Sequence, residues 1–193
     1  MRGILTFAIV MLLAALAAPA SAEFYANDKT SKDPNRPAIE ALAKEFASIP
    51  DSFGCTEFAW GHKDPASTSM EFVPPGHDVR TWTRLVTITA LDLPPDEKGR
   101  AETLKRLQTI MENMFTQRGI IMDKKTGTDK NGKPTLFVEY ETGQGPAREH
   151  NAAAVIKLRP DLAAVVQIQS RGNKSLPRED ADKIMALAIP KKN

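Results

Sequence analysis

The chain reads as an α+β domain: an antiparallel sheet of about six to seven strands, with a long central helix plus N- and C-terminal helices packed on it. Three observations predict this. Seven short runs of strand composition fall mostly in consecutive meanders, joined by turn residues. Three segments carry the i, i+3, i+4, i+7 apolar stripe of a helix with one buried face. The resulting order, α-βββ-α-ββββ-α, groups strands with strands instead of alternating them with helices, as an α+β fold does.

The chain is 193 residues long and opens Met1-Arg2-Gly3. An apolar run from Ile4 to Ala18 follows, broken by Thr6, then Pro19 and the small triplet Ala20-Ser21-Ala22. A basic start, an apolar middle and an A-x-A site are the layout of a cleavable secretory signal, here residues 1–22. The run is shorter than a membrane span and ends in a proline, so a retained anchor is the poorer reading. Cleavage after Ala22 leaves Glu23 to Asn193, destined for the periplasm or secretion, with no later integral membrane segment. Residues 23–35 are polar and aperiodic and read as a flexible leader. Residues 36–193 read as a single domain.

Pro37 sits where a first helical turn tolerates proline, and Ile39, Leu42, Ala43 and Phe46 make one face, up to Pro50. Residues 56–61 and 69–73 predict a hairpin around Lys63–Ser67, closed by Pro74-Pro75-Gly76. Residues 82–91 predict a strand apolar on both faces, with Trp82, Val86, Ile88 and Ala90 on one and Leu85, Thr87, Thr89 and Leu91 on the other. Pro94-Pro95-Asp96 open the longest helix, to about Arg118, with Leu104, Leu107, Met111, Met114 and Phe115 as its stripe and Gly119 as its cap. Strands are expected at 120–126, 135–142, 151–158 and 162–170, linked by short turns that favour antiparallel neighbours. A last helix carries Ala181, Ile184, Met185 and Ala188 on one face and stops at Pro190.

Charge excludes one partner class. Lys and Arg number 26 against 24 Asp and Glu, and the signs are interspersed. Without a basic stripe, nucleic acid is not an expected partner. Cys55 is the sole cysteine, so no intramolecular disulfide exists. It is expected to be buried and inert, with pairing between chains as the alternative.

Phe72-Val73-Pro74-Pro75-Gly76 ahead of the Trp82 strand, the helix at 96–118 and the meander after it resemble PsbP-like exported domains. The likeness covers most of the mature chain and is architectural. It implies an accessory or binding protein and not an enzyme.

Several motifs tempt and fail. Gly127 to Lys133 matches the first seven positions of a P-loop, but Pro134 replaces the required hydroxyl and a strand follows. Asp129, Asn131 and Gly132 suit three positions of a calcium loop, yet Gly127 and Val138 stand where the first and last ligands belong. His62, His77 and His150 lack metal spacing; His62 and His77 would need Glu71 or Asp78 as a third ligand. Cys55 with His150 lacks any local nucleophile signature, and no G-x-S-x-G exists. Glu139 and Glu141 share a strand face, as solvated carboxylates commonly do. Asn173-Lys174-Ser175 fits a glycosylation acceptor and marks a surface loop. No catalytic residue, metal or cofactor is assigned.

What is left is recognition. Trp82 and Tyr140, with Arg80, Arg84, Arg148 and His150 near them in the strand and loop layout, are the binding candidates, because aromatic plus Arg is the usual make-up of an interface anchor. Trp60 and Trp82 are also expected to pack in the core. The sequence therefore predicts an exported accessory or binding protein of the cell envelope, engaging a protein partner or small ligand through loops 74–81 and 143–150. The alternative is a small hydrolase-like exported enzyme.

Overall fold

The computed structural model describes residues 22–28, 32–118, 120–128, 134–142, 149–172 and 176–188. Residues 1–21 of the expected signal, the turn at 129–133, residues 143–148 of the second expected binding loop and the acceptor motif at 173–175 lie outside the described residues. The class is α+β, with antiparallel pairing in every ladder described here. The chain divides into two compact units, Met1–Leu91 and Asp92–Asn193.

The first unit contains β1 (Ala22–Tyr25), α1 (Arg36–Glu45), α2 (Ser48–Asp51), β2 (Glu57–Lys63), β3 (Ser67–Val73) and β4 (Arg84–Asp92). The strands pair in chain order, β1-β2-β3-β4. Strand β1 takes in Ala22, the last residue of the expected signal, and the first three residues of the segment expected to be a leader. Phe24 explains why it is ordered: its ring is buried and stands 5.9 Å from Phe58, which in turn lies 5.7 Å from Phe72. Arg36 clamps the same segment. Its guanidinium lies 4.9 Å from the Phe24 ring and donates to the carbonyls of Ala26 and Asp28.

The first helix also differs from expectation. It ends at Glu45, and Pro50 belongs to the separate one-turn α2. The amide of Phe46 reaches Leu42 O and that of Ala47 shortens to Lys44 O, so the α-type ladder stops there. Ile39, Ala43 and Phe46 are buried as their spacing required. The hairpin turn is narrower than expected, Asp64-Pro65-Ala66, because Asp64 caps it with its own carboxylate.

The second unit contains α3 (Glu97–Arg118), β5 (Ile120–Thr128), β6 (Pro134–Thr142), β7 (Glu149–Arg159), β8 (Leu162–Arg171) and α4 (Arg178–Ala188). Its strands form a meander, β5-β6-β7-β8. Leu104, Leu107 and Met111 are buried along α3. Strands β7 and β8 are buried on both faces, at Ala152 to Ile156 and Leu162 to Ser170, and read as near-continuous small and branched residues for that reason. Helix α4 lies against β7, β6 and β8 and buries Ala181 and Ile184. Among the described residues, no helix is long and apolar enough to cross a membrane.

Candidate functional site

The loop between β3 and β4 is organised by one side chain. Asp78 Oδ1 accepts from the amide of Arg80 at 2.8 Å, the amide of Thr81 at 2.9 Å and the Thr81 hydroxyl at 3.0 Å. The amide of Asp78 donates back to Thr81 Oγ1 at 3.0 Å. His77 Nδ1 lies 3.0 Å from Thr81 O, and Gly76 donates to Glu57 on β2. These donors favour the ionised form, so the Asp78 carboxyl sits below its usual range, the Arg80 amide being the main cause. Gly76, at φ +77°, supplies the left-handed residue that lets the loop turn.

Trp82 ties this loop to the core. Its amide bonds Asp78 O, and its ring packs with Val73 and Leu85. That corrects the expected strand geometry. Trp82 precedes β4 and groups with Leu85, not with Val86 and Ile88, because the chain has not yet taken up strand pleating. The indole is 6% exposed, so Trp82 is a buried support and not a surface contact. Arg80 is exposed beside it and Arg84 is half-buried.

Cys55 is fully buried, and burial pushes its thiol up to about 11 despite the opposing pull of Arg84 and the Val86 amide. A thiol that stays protonated at neutral pH is a poor nucleophile. The expectation of a buried free cysteine holds.

A second polar group lies on β2, β3 and the turn between them. The rings of Trp60 and His62 are parallel within 4°, with centroids 5.8 Å apart. His62 Nε2 lies 4.0 Å from Asp64 Oδ2, both side chains are buried, and among the described residues neither His62 nitrogen has a hydrogen-bond partner. Asp64 is held by the amides of Ala66 and Ser67 and by the Ser67 hydroxyl. His77 is engaged by Thr81 O in the other loop, so a metal pair with His62 is not what these rings form. Sequence reasoning missed the His62–Asp64 pair. No spacing signal marks it, because Asp64 lies in the turn beyond the end of β2 and not on the strand itself.

The remaining candidates fall in the second unit. His150 Nδ1 lies 3.0 Å from Glu141 Oε1 across the β6–β7 ladder, where the two residues are direct partners. On the neighbouring rows Arg171 pairs with Glu149 at 2.9 Å, and Gln167 donates to the buried Asn151 at 3.2 Å. Tyr140 stands opposite Asn151 in register. Arg148 lies outside the described residues. The expected binding residues that are described thus divide between the units: Arg80, Trp82 and Arg84 in the first, Tyr140 and His150 in the second. Among the described residues, no group of three or more His, Cys, Asp or Glu side chains could hold a metal ion. No family model matches the chain, and no curated protein matches it.

Proposed function

We propose that this protein is an exported, non-enzymatic accessory or binding protein of the cell envelope. Cleavage after Ala22 would release it to the periplasm or the exterior as a soluble α+β domain organised around its long central helix. It engages an envelope protein or small ligand through loop 74–81, with loop 143–150 as a second contact. The observation that carries this reading is the Asp78 network: an exposed loop fixed by its own hydrogen bonds, presenting Arg80 above a buried tryptophan. A pre-ordered loop loses little entropy on binding, and Arg is a frequent interface anchor. The PsbP-like pattern supports the same class. The test is a pull-down from the native envelope fraction with the tagged mature protein and its Arg80→Glu variant. A partner retained by the first and lost by the second supports the proposal; equal recovery by both overturns it.

The alternative, a small exported enzyme, draws on a different observation. Glu141 at His150 Nδ1 is the arrangement that orients an imidazole for proton transfer through Nε2. A hydrolytic activity found on a substrate panel and abolished by His150→Gln in a folded protein would favour it.

A further inference from the structure

We propose that the α-amino group created by cleavage between Ala22 and Glu23 docks on the buried Asp64–His62 pair as its charged partner. The inference rests on the export reading for the identity of the cleaved bond.

Asp64 is 5% exposed, and among the described residues everything within hydrogen-bond distance of its carboxylate is a neutral donor: the amides of Ala66 and Ser67 and the Ser67 hydroxyl. A buried carboxylate is costly without a cation. His62 Nε2 stands 4.0 Å from Asp64 Oδ2, too far for a hydrogen bond. His62 is 3% exposed and its two ring nitrogens are without partners, each an unmet buried polar group. The adjacent Lys63 is not the missing cation. Alternation turns it to the opposite face, where it donates to Thr68.

Strand β1 brings a candidate to this place. In register, Ala22 stands opposite Lys63 and Glu23 opposite His62. Directly opposed Cα atoms in an antiparallel pair are about 4.5–5.5 Å apart, and a backbone nitrogen is about 1.5 Å from its Cα. The Ala22–Glu23 peptide bond therefore lies abreast of the His62–Lys63 peptide, one residue short of Asp64. In the uncleaved chain the nitrogen there is a neutral amide. Hydrolysis adds the hydroxyl of water to the Ala22 carbonyl carbon and a proton to the Glu23 nitrogen. The freed amine, with an ordinary pKa of about 8, takes a further proton at neutral pH. The ammonium carries three donors. One suits the remaining lone pair of Asp64 Oδ2 and another an unpartnered His62 ring nitrogen, so one group meets both deficits. Maturation would then lock β1 at the sheet edge.

The experiment compares a protein beginning at Glu23, released from a cleavable fusion, with one that keeps Ser21-Ala22 in front, each also as Asp64→Asn. The Glu23 form is expected to melt about 3 °C or more above the extended form, the scale of one paired charge in a chain of this size. Asp64→Asn should erase that gap. No gap, or a gap that survives Asp64→Asn, overturns docking. Should Asp64→Asn fail to fold, His62→Gln takes its place, together with the rate at which the Glu23 amine reacts with an amine-directed ester at pH 7. Native labelling at least tenfold slower than in urea is expected, and equal rates overturn the proposal. Intact mass of the exported protein separately tests the export reading. A first residue other than Glu23 overturns the assigned bond, whereas the melting comparison overturns the docking chemistry.

Discussion

Ile39 of α1 packs against the backbone of β2 at Gly61, so closely that a Cβ placed on Gly61 would lie 2.7 Å from Ile39 Cγ2. The same Cβ would meet the Phe24 ring at 3.0 Å. One missing side chain thus lets the first helix, the edge strand and the hairpin converge. Gly61→Ala is expected to destabilise the protein by about 1–3 kcal/mol, the usual cost of overpacking beside a stiff β-branched neighbour. Chemical denaturation measures it. A neutral or stabilising result would mean that Ile39 and Phe24 yield freely.

Met111 on α3 is 1% exposed and Arg106 on the same helix is exposed. Met111→Ala should cost about 2–5 kcal/mol, and Arg106→Ala less than about 0.5 kcal/mol. Denaturant midpoints of the two variants check the contrast. Equal effects would place the buried stripe of α3 on the wrong face.

The Cys55 thiol provides a pH signature. Its folded-state value, about 11, lies above the ordinary 9.0. The folded state therefore holds its proton where the unfolded state has lost it. The resulting stability is fully present below about pH 9 and declines as pH rises towards 11. Cys55→Ala should flatten that part of the stability profile. Alkylation of the native thiol at pH 7.5 should be far slower than in denaturant, and equal rates would contradict the burial.

Asp78 gives the opposite sign. Its carboxyl sits below 3.8, so the contribution of its loop network is present above that value and fades as pH falls through the lower folded value. Asp78→Ala should accelerate hydrogen exchange at the Arg80 and Thr81 amides while leaving the melting temperature nearly unchanged. If Arg80 is a contact, the same substitution should weaken partner capture to the extent that Arg80→Ala does.

How far these features could be read from sequence depends on their range. Leu104, Leu107 and Met111 announce themselves by helical spacing, and Ile39, Ala43 and Phe46 do likewise, because a single face decides their burial. The strands at 56–61, 69–73, 151–158 and 162–170 were legible from composition and turn residues, to within a few residues at their ends. Strand β1 was not, since four residues are too few for a period and its order depends on Phe58 and Arg36. Trp82 was misassigned for a related reason: alternation extended backwards from Val86 ignores the Asp78 network that holds it out of the strand. The His62–Asp64 pair stayed hidden because its interest lies in partners that are missing, which no spacing records.

The placement of β1 has a consequence for how the chain is assembled. Synthesis proceeds from the amino end, so Phe24 emerges before its clamp Arg36, and well before Gly61 and Phe58, against which it closes. The strand that comes first must wait longest in its unit for a partner. During that interval an aromatic, extended segment is open to any binder of unpaired strands, and closure of the edge is governed by the arrival of β2.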